Sequence, residues 1–386
     1  MATPFHQLFQ RLFGSGRGKN AKNTPDGASQ ARSSATDSSS EVIPPIQPSS
    51  TNTNKDTINL PGGNLPDIIP SRITGSATKY AVWQPAIPID TLFFDWIMGS
   101  PGESSVAELE HKVLQALYGL LAADLNEAVV VPRMPSIIPQ LLASLRNKSV
   151  NVQELTRLIV KDVVLVGEVI NAVNSAVYNP ADRISSLDKA VLMLGEDGLR
   201  FVIAKVAFRP IINLSTGPYT RRAAPHIWLQ SEKCALACHT LSETGDHAFQ
   251  AFLTGLMKNV GLIIAFRILD QECEQAKFRY SASFQYAMNA VAATLSYRIA
   301  QRWEFPPEVV KALQQQAGGK KTEWSALGQL LHDADLISKM RVLVNQAQLS
   351  RNDQQLKAGL SPKMAECFDH LNTLHAYELR NVTTSR

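Results

Sequence analysis

The sequence predicts an all-α protein, and three observations lead to that fold class. Beyond residue 87, apolar residues recur at intervals of three and four, which is the spacing of one helix face. Proline, glycine and asparagine interrupt this pattern repeatedly, as short breaks between helices do. No strand–helix–strand pattern and no glycine-rich phosphate loop occurs in the sequence. The expected architecture is therefore a multi-helix bundle.

Composition limits the classes of function. The chain has 386 residues, of which 45% are hydrophobic, so it can bury a full core. Its net charge of +4 is small and its lysines and arginines are scattered, so no nucleic-acid partner is expected. Four cysteines are too few for a disulfide framework, which favours a reducing cytoplasm. We also expect no signal peptide at the N-terminus and no apolar run able to span a bilayer.

Residues 1–78 are predicted to form a disordered leader, because Ser, Thr, Asn, Gly and Pro dominate residues 14–64. The first part of this leader carries apolar side chains at helical spacing, at Phe5, Leu8, Phe9, Leu12 and Phe13. The segment is too short to hold a stable helix alone. Docking on a membrane surface, docking on a partner and an idle terminus all remain open for it.

Residues 79–128 are predicted to form an N-terminal helical unit. Bulky apolar residues fill most of residues 87–98. Ser105 and Glu108 then have the spacing of a capping box, and they open a helix over residues 106–121 with one apolar stripe. This unit is expected to pack on the helices that follow.

The next helices are predicted within residues 129–325. Three prolines make the first half of residues 131–145 an extended approach to a helix. Asn151 and Glu154 cap another helix, and the helix after that runs over residues 163–173 until Asn174 and Ser175 stop it. A helix from Ser186 should break at Gly195. The helical pattern of residues 251–264, AFLTGLMKNVGLII, is continuous, and helices over residues 326–349 and 361–377 should complete the bundle within residues 326–386.

Five segments in this order resemble a known family. They are PRMPS, NSAVY at residues 174–178, ISSLDKAVLMLG ending at Gly195, IWLQSEKCALACHTL from Ile227, and AFLTGLMKNVG from Ala251. Together they are similar to the HDOD domain, the HD-related output domain of bacterial signalling proteins, over residues 129–325. The resemblance implies a fold related to the HD and HD-GYP phosphohydrolases and a role in signal output or regulation.

The resemblance also implies a lost metal site. Where HD phosphohydrolases carry the His-Asp pair that holds a divalent metal, this chain has Lys258 and Asn259. A protonated amine has no lone pair to offer, and a carboxamide oxygen is a weak ligand. By the same comparison Ala292 stands at the position of a histidine ligand, and Gln316 and Ala317 lie near two more. No metal, no cofactor and no catalytic residue is therefore expected.

Three other clusters have a functional and a structural interpretation. His332, Asp333 and Asp335 could form a displaced metal site, although neighbours on a helix face apart. The pair Cys234 and Cys238, followed by His239, could bind zinc, but the apolar surroundings favour core packing. A third cluster could meet a phosphate or an acidic partner, or could be an ordinary solvated face, and it consists of Arg200, Lys205 and Arg209.

The predicted function is a non-catalytic regulatory module, or pseudo-enzyme, of a bacterial signal transduction pathway. It would bind a protein partner or a small nucleotide signal, and the candidate binding residues are Asn174, Ser175, Tyr178, Lys258 and Asn259. One alternative is a residual metal-dependent phosphodiesterase that uses the displaced His-Asp site. The other is a nucleic-acid binder, which would need its basic residues to converge on one face. No motif identifies the partner, the oligomeric state or the pathway.

Overall fold

The computed structural model describes residues 87–99, 107–125, 128–146, 152–174, 180, 182–213, 215–242, 246–273, 279–318, 323–350 and 355–371. They belong to one compact unit, Leu65–Arg386. Within these residues all regular elements are helices and none is a β-strand, which confirms the all-α prediction. The predicted leader, including the segment Phe5 to Phe13, lies outside the described residues.

The first six helices are α1 (Ile89–Met98), α2 (Ala107–Ala122), α3 (Ile138–Arg146), α4 (Val152–Val160), α5 (Val163–Val173) and α6 (Leu187–Ile212). The others are α7 (Pro218–Leu241), α8 (Asp246–Met257), α9 (Val260–Glu272), α10 (Ala282–Arg302), α11 (Pro307–Ala317), α12 (Ala326–Asn345) and α13 (Pro362–His370). Most bounds follow the sequence pattern closely. α12 ends a few residues earlier than predicted, and α13 ends at His370, just before the described residues stop.

Helix α7 is at the centre of the bundle. It packs against α1, α6, α8, α9, α12 and α13. Its buried side chains include four polar ones among many apolar ones, namely Thr220, Gln230, Ser231 and Lys233. α2 packs on α9 and α10, whereas α3, α4 and α5 pack on α6. A polar group on the inner part of α7 therefore has to find its partners on neighbouring helices, because water does not reach it.

Helix α6 is kinked where the sequence predicts a break. Gly195 has a φ of 64° and a ψ of −171°, a backbone conformation that side-chain-bearing residues rarely adopt. The helix resumes directly after it. The predicted break at this glycine is confirmed, and the kink lets both halves of α6 bury apolar residues.

The predicted continuous helix over residues 251–264 is wrong, because α8 ends at Met257 and α9 begins at Val260. The cause lies on α10. The Ser296 hydroxyl donates a hydrogen bond of 2.8 Å to the Lys258 carbonyl and accepts one of 2.9 Å from the Gly261 amide. In a continuous helix the Gly261 amide would instead donate to the Met257 carbonyl, and the Lys258 carbonyl would accept from the Leu262 amide. Lys258 and Asn259 consequently lie in a tight turn between two helices.

One stretch of the described residues, His247–Glu272, is long and apolar enough to cross a membrane, contrary to the expectation from sequence. In the structure, 94% of the most apolar 18 residues of this stretch are buried inside the protein. The turn at Lys258 also divides it into α8 and α9. Its apolar character is therefore that of a helix pair in the core of a folded domain.

Two glycines on this helix pair permit close helix contacts. A Cβ atom on Gly255 would lie 2.5 Å from the Ala235 Cα atom on α7. A Cβ atom on Gly261 would lie 1.9 Å from the Ala292 carbonyl oxygen on α10. Both neighbours are backbone atoms of packed helices, so they cannot move aside as a flexible side chain would. The absence of a side chain at these two positions sets the spacing of α7, α8, α9 and α10.

Replacing Gly261 by alanine should lower the free energy of unfolding by about 3 kcal/mol, because the new methyl group would overlap the backbone of α10. The matched control is Gly119→Ala on α2, where a Cβ atom would meet nothing within 4 Å. That change should be neutral or stabilise by about 0.5–1 kcal/mol through helix propensity. Chemical denaturation measures both. Equal effects of the two substitutions would contradict the close approach.

A partly buried histidine near the end of α7 should make the stability of the fold depend on pH. The His239 ring lies edge-on to Phe201 at a centroid distance of 4.9 Å. Burial lowers the pKa of His239 from 6.5 to about 4, and among the described residues its Nδ1 atom has no hydrogen-bond partner. The imidazole is therefore neutral in the folded protein at neutral pH.

Between about pH 6.5 and pH 4 the unfolded chain binds a proton at His239 that the folded chain does not. The free energy of unfolding should therefore fall as the pH is lowered through this range, by up to about 3 kcal/mol from this residue. A His239→Phe variant keeps an aromatic ring but cannot titrate, so its stability should decline less. Denaturation curves at several pH values test this. An identical pH slope in the variant would show that His239 is not the cause.

Candidate functional site

The candidate site is built around one buried carboxylate, that of Asp335 on α12. Its Oδ2 atom lies 2.7 Å from the Lys339 ammonium one helical turn later and 3.3 Å from the Lys258 ammonium in the α8–α9 turn. Its Oδ1 atom accepts a hydrogen bond of 2.8 Å from the side-chain amide of Gln230 on α7. Three separate parts of the fold therefore meet at this one group.

The charged side chains continue to the surface through α1. The Lys339 ammonium also donates a hydrogen bond of 2.7 Å to the Asp90 carboxylate in the first turn of α1. The exposed fraction of the side chain is 8% for Asp335, 11% for Lys339 and 15% for Lys258, but 60% for Asp90. We refer to these four residues as the Lys–Asp cluster. Two ammonium groups balance two carboxylates, so the cluster is neutral as a whole.

Amide and hydroxyl groups extend the cluster beneath its charges. The Asn259 amide donates hydrogen bonds to the Gln230 side-chain oxygen and, at 2.9 Å, to the Ser231 hydroxyl. The Gln230 amide in turn donates at 2.8 Å to the Ser338 hydroxyl as well as to Asp335. Asn259, Gln230, Ser231 and Ser338 are all buried. Buried polar groups have to be paired in this way, since each unpaired one costs on the order of 1–3 kcal/mol.

Electrostatics favour the charged forms of Asp335, Lys339 and Asp90. Burial alone would raise the pKa of Asp335, but the ammonium groups of Lys258 and Lys339 hold it well below its usual range. Burial would likewise lower the pKa of Lys339, yet Asp335 and Asp90 raise it above the ordinary lysine value. The pKa of Asp90 is lowered, chiefly by Lys339. The carboxylates and ammonium groups therefore stabilise one another's charged forms.

Comparison with known proteins shows the family of the central part of the chain. Residues 131–318 match the family model described as the HDOD domain. The chain contains an HDOD domain. An uncharacterised protein of Treponema pallidum is 24% identical to this chain over 204 residues, which is 50% of this chain and 39% of the relative. This chain thus aligns with only about two fifths of that relative's length.

Two solved structures share parts of the fold at low identity. One is an HDOD domain protein of unknown function from Geobacter sulfurreducens, with 17% identity, a TM-score of 0.48, and coverage of 72% of this chain and 98% of that one. The other is a candidate phosphohydrolase from Shewanella amazonensis, with 21% identity, a TM-score of 0.45, and coverage of 70% and 97%.

The side chains at the HD positions of this HDOD domain do not fit a divalent metal. Lys258 brings an ammonium group to within 3.3 Å of Asp335, where a metal would need a ligand lone pair. The Asn259 amide is occupied by Gln230 and Ser231. Ala292 has no ligand atom in its side chain, and the Gln316 amide donates to main-chain carbonyls, at 2.9 Å to Gly328. No group of three or more His, Cys, Asp or Glu side chains in the described ranges could hold a metal ion.

The displaced His-Asp pair is split between different surroundings. The His332 ring packs edge-on against Trp324, with the ring centroids 5.3 Å apart. The Asp333 carboxylate accepts a hydrogen bond of 3.0 Å from Gln329, and Asp335 belongs to the Lys–Asp cluster. These three side chains are not brought together as metal ligands within the part of the chain that the structure describes.

Of the candidate binding residues in the NSAVY segment, only Asn174 is described. Its amide donates hydrogen bonds of 2.8 Å to the Ile170 carbonyl and 2.6 Å to the Ile184 carbonyl. Its side-chain oxygen accepts one of 2.8 Å from the Ile184 amide. Asn174 thereby ties the end of α5 to the segment before α6. Ser175 and Tyr178 lie outside the described residues, so their predicted role stays a prediction.

The cysteine pair and the basic series of α6 also have structural partners. Cys234 and Cys238 are fully buried, and burial raises the pKa of the Cys238 thiol, which confirms core packing for the pair. The basic series is a solvated face only at Arg209, because the side chains of Arg200 and Lys205 are only 10% and 23% exposed. Acidic side chains of the same or adjacent helices pair with each member. The pairs are Arg200 with Glu196 at 2.6 Å, Lys205 with Glu232, and Arg209 with Glu168 at 3.4 Å.

Several residues of the site were not predicted from sequence. Ser338, Lys339 and Asp90 lie outside the five resembling segments, and Gln230 lies within IWLQSEKCALACHTL but was given no role there. One local signal exists, since Asp335 and Lys339 have the i, i+4 spacing of a helical ion pair. The remaining contacts join residues far apart in the sequence, such as Asp90 and Lys339, which are 249 positions apart.

Asp335→Asn should lower the free energy of unfolding by about 3–5 kcal/mol, because it leaves the Lys258 and Lys339 charges partly buried with too little opposite charge. Asp333→Asn on the same helix is the matched control. Its carboxylate accepts a hydrogen bond from Gln329, and its loss should cost less than about 1 kcal/mol. Urea denaturation of both variants provides the comparison. Similar small losses would mean that Asp335 is not the electrostatic centre of the cluster.

Proposed function

We propose that this chain is a non-catalytic HDOD module in which the Lys–Asp cluster has replaced the metal centre of HD phosphohydrolases. The observation that carries the proposal is the position of Asp335 between two lysine ammonium groups, at 2.7 and 3.3 Å. The carboxylate obtains from lysines the positive charge that a metal supplies in a hydrolase. Asp335 is thereby a structural residue of the module and not a ligand.

The chemistry of metal-assisted hydrolysis supports this interpretation. Such a reaction needs a divalent ion held by several imidazoles and carboxylates, with an open position for an activated water. Near Lys258 and Asn259 the cluster offers only two carboxylates, those of Asp335 and Asp90, and both are already paired with lysines. A metal cation placed near Asp335 would be repelled by Lys258 and Lys339. Neither residue at the former His-Asp positions can activate water through a metal.

The biological role that we propose is signal output or regulation in a bacterial cytoplasm, as the HDOD family suggests. The module would act by binding a protein partner of a signalling pathway or a small signalling ligand. A nucleic-acid partner is not favoured, since the basic series on α6 is paired with acidic residues of the same chain. Binding would then change the contacts that α1, α7, α9 and α12 make around the Lys–Asp cluster.

Elemental analysis and a phosphodiesterase assay test the loss of catalysis. The purified full chain should contain far less than one transition metal per molecule, and it should not turn over cyclic dinucleotides when Mn²⁺ is added. An active HD-GYP enzyme assayed in parallel shows that the conditions permit turnover. The His332→Ala and His247→Ala variants complete the design, because His332 lies beside Asp333 in the displaced His-Asp pair and His247 is an exposed histidine elsewhere.

Near-stoichiometric metal, together with turnover that His332→Ala removes and His247→Ala leaves intact, would overturn the proposal. The chain would then be a phosphohydrolase with a displaced site on α12. Turnover that neither variant changes would point to a contaminating enzyme.

A further inference from the structure

We propose that Lys258 and Lys339 form a binding site for a phosphate group, and that the Asp90 carboxylate occupies this site in the structure. The inference rests on the proposed function, since it assumes that the two lysines stand where a metal would otherwise be. It adds a ligand class to that site. The ligand is a small phosphate monoester or free phosphate that takes the place of Asp90.

Lys258 has unused binding capacity. Its ammonium group has three N–H donors, yet within the described residues its polar contact is the ion pair with Asp335 at 3.3 Å. It donates no hydrogen bond to a described residue, although its side chain is only 15% exposed. A largely buried ammonium group with N–H donors available is well suited to an anionic ligand, because little water has to be displaced from it.

The two ammonium groups are close enough to share one ligand. Both contact the same Oδ2 atom of Asp335, at 2.7 and 3.3 Å, so their nitrogens can be no more than about 6 Å apart. A tetrahedral oxyanion can accept a hydrogen bond from each across such a distance. Lysine binds phosphate as a point charge and requires no planar fork geometry. The other carboxylate oxygen of Asp335, Oδ1, accepts the hydrogen bond from Gln230, so it does not compete with the phosphate for the two ammonium groups.

Asp90 has the features of a replaceable occupant. Its carboxylate contacts Lys339 at 2.7 Å, while its side chain is 60% exposed to solvent. The rest of the first turn of α1 is anchored by buried residues such as Ile89 and Phe93, so the side chain can turn away without moving the helix. Exposed side chains change rotamer within nanoseconds. With Asp90 turned away, the two lysines and Asp335 together have a net charge of +1. This positive charge attracts an incoming phosphate.

Calorimetric titration of the full chain tests the site directly, with inorganic phosphate and adenosine monophosphate as the two probes. Asp90→Asn keeps the shape of the side chain but removes the competing charge, so it should bind phosphate at least about tenfold more tightly than the unaltered chain. Adding Lys258→Met to Asp90→Asn should remove this gain. Adding Lys205→Met should not, because Lys205 is a similarly buried lysine that pairs with Glu232 on another face.

The two probes distinguish the sources of the phosphate group. Equal affinities would indicate recognition of the phosphate alone, and tighter binding of the nucleotide would indicate additional contacts with its base or sugar. Both results support the site. Failure of Asp90→Asn to bind either probe, or binding that survives Lys258→Met, would overturn it. Circular dichroism of each variant establishes that it is folded, and Lys258→Gln serves if the methionine variant is not.

The outcome is separable from that of the proposed function. A metal-free, inactive chain whose Asp90→Asn variant ignores phosphate would remain a non-catalytic HDOD module, and only the anion site would be refuted. Metal and turnover in the unaltered chain would refute the proposed function itself, whatever the phosphate titration gives.

Discussion

A carboxylate buried in the centre of a helical bundle constrains everything near it. Asp335 loses its hydration on folding, and a bare charge in such a place would cost many kcal/mol, so cations have to come to it. Lys339 reaches it from one turn along α12, but Lys258 can reach it only from the turn between α8 and α9. The position of that turn, and with it the mutual placement of α8, α9 and α12, is tied to the neutralisation of a single charge.

The packing of the central helices is consistent with the same constraint. Ser296 on α10 holds the turn open by bonding to the Lys258 carbonyl and the Gly261 amide. Gly261 in turn allows α9 to come so close to α10 that the serine hydroxyl can reach these groups. The close packing of the core and the geometry of its polar centre thus support each other. A change in either should disturb both, as expected where polar networks are fully satisfied.

Much of the fold could be predicted from sequence, because helix positions depend on local patterns. The spacing of apolar residues and the capping residues gave most helix bounds, and Gly195 indicated its own kink. That Lys258 and Asn259 are poor metal ligands could also be read from the sequence, since it follows from the chemistry of those two side chains. What could not be read is which distant residues converge. The break between α8 and α9 is caused by Ser296 on α10. The N-terminus of α7 is capped by Asp270 on α9, whose carboxylate accepts a hydrogen bond of 2.8 Å from the Tyr219 amide. Acidic partners from neighbouring helices likewise turned a predicted solvated face on α6 into ion pairs.

The segment that matches the family is shorter than the part of the chain that completes its core and its ion pairs. The matched residues, 131–318, include Lys258 but neither Asp335 nor Lys339, and Asp90 lies on the other side of them. An isolated piece cut at those limits would carry a lysine in its interior with no carboxylate to meet it. It would also expose the faces of α7 and α9 that α1, α2 and α12 cover. The limits of the sequence match are therefore not the limits of an autonomous folding unit in this protein. Helices on either side of the shared segment complete its electrostatics as well as its core.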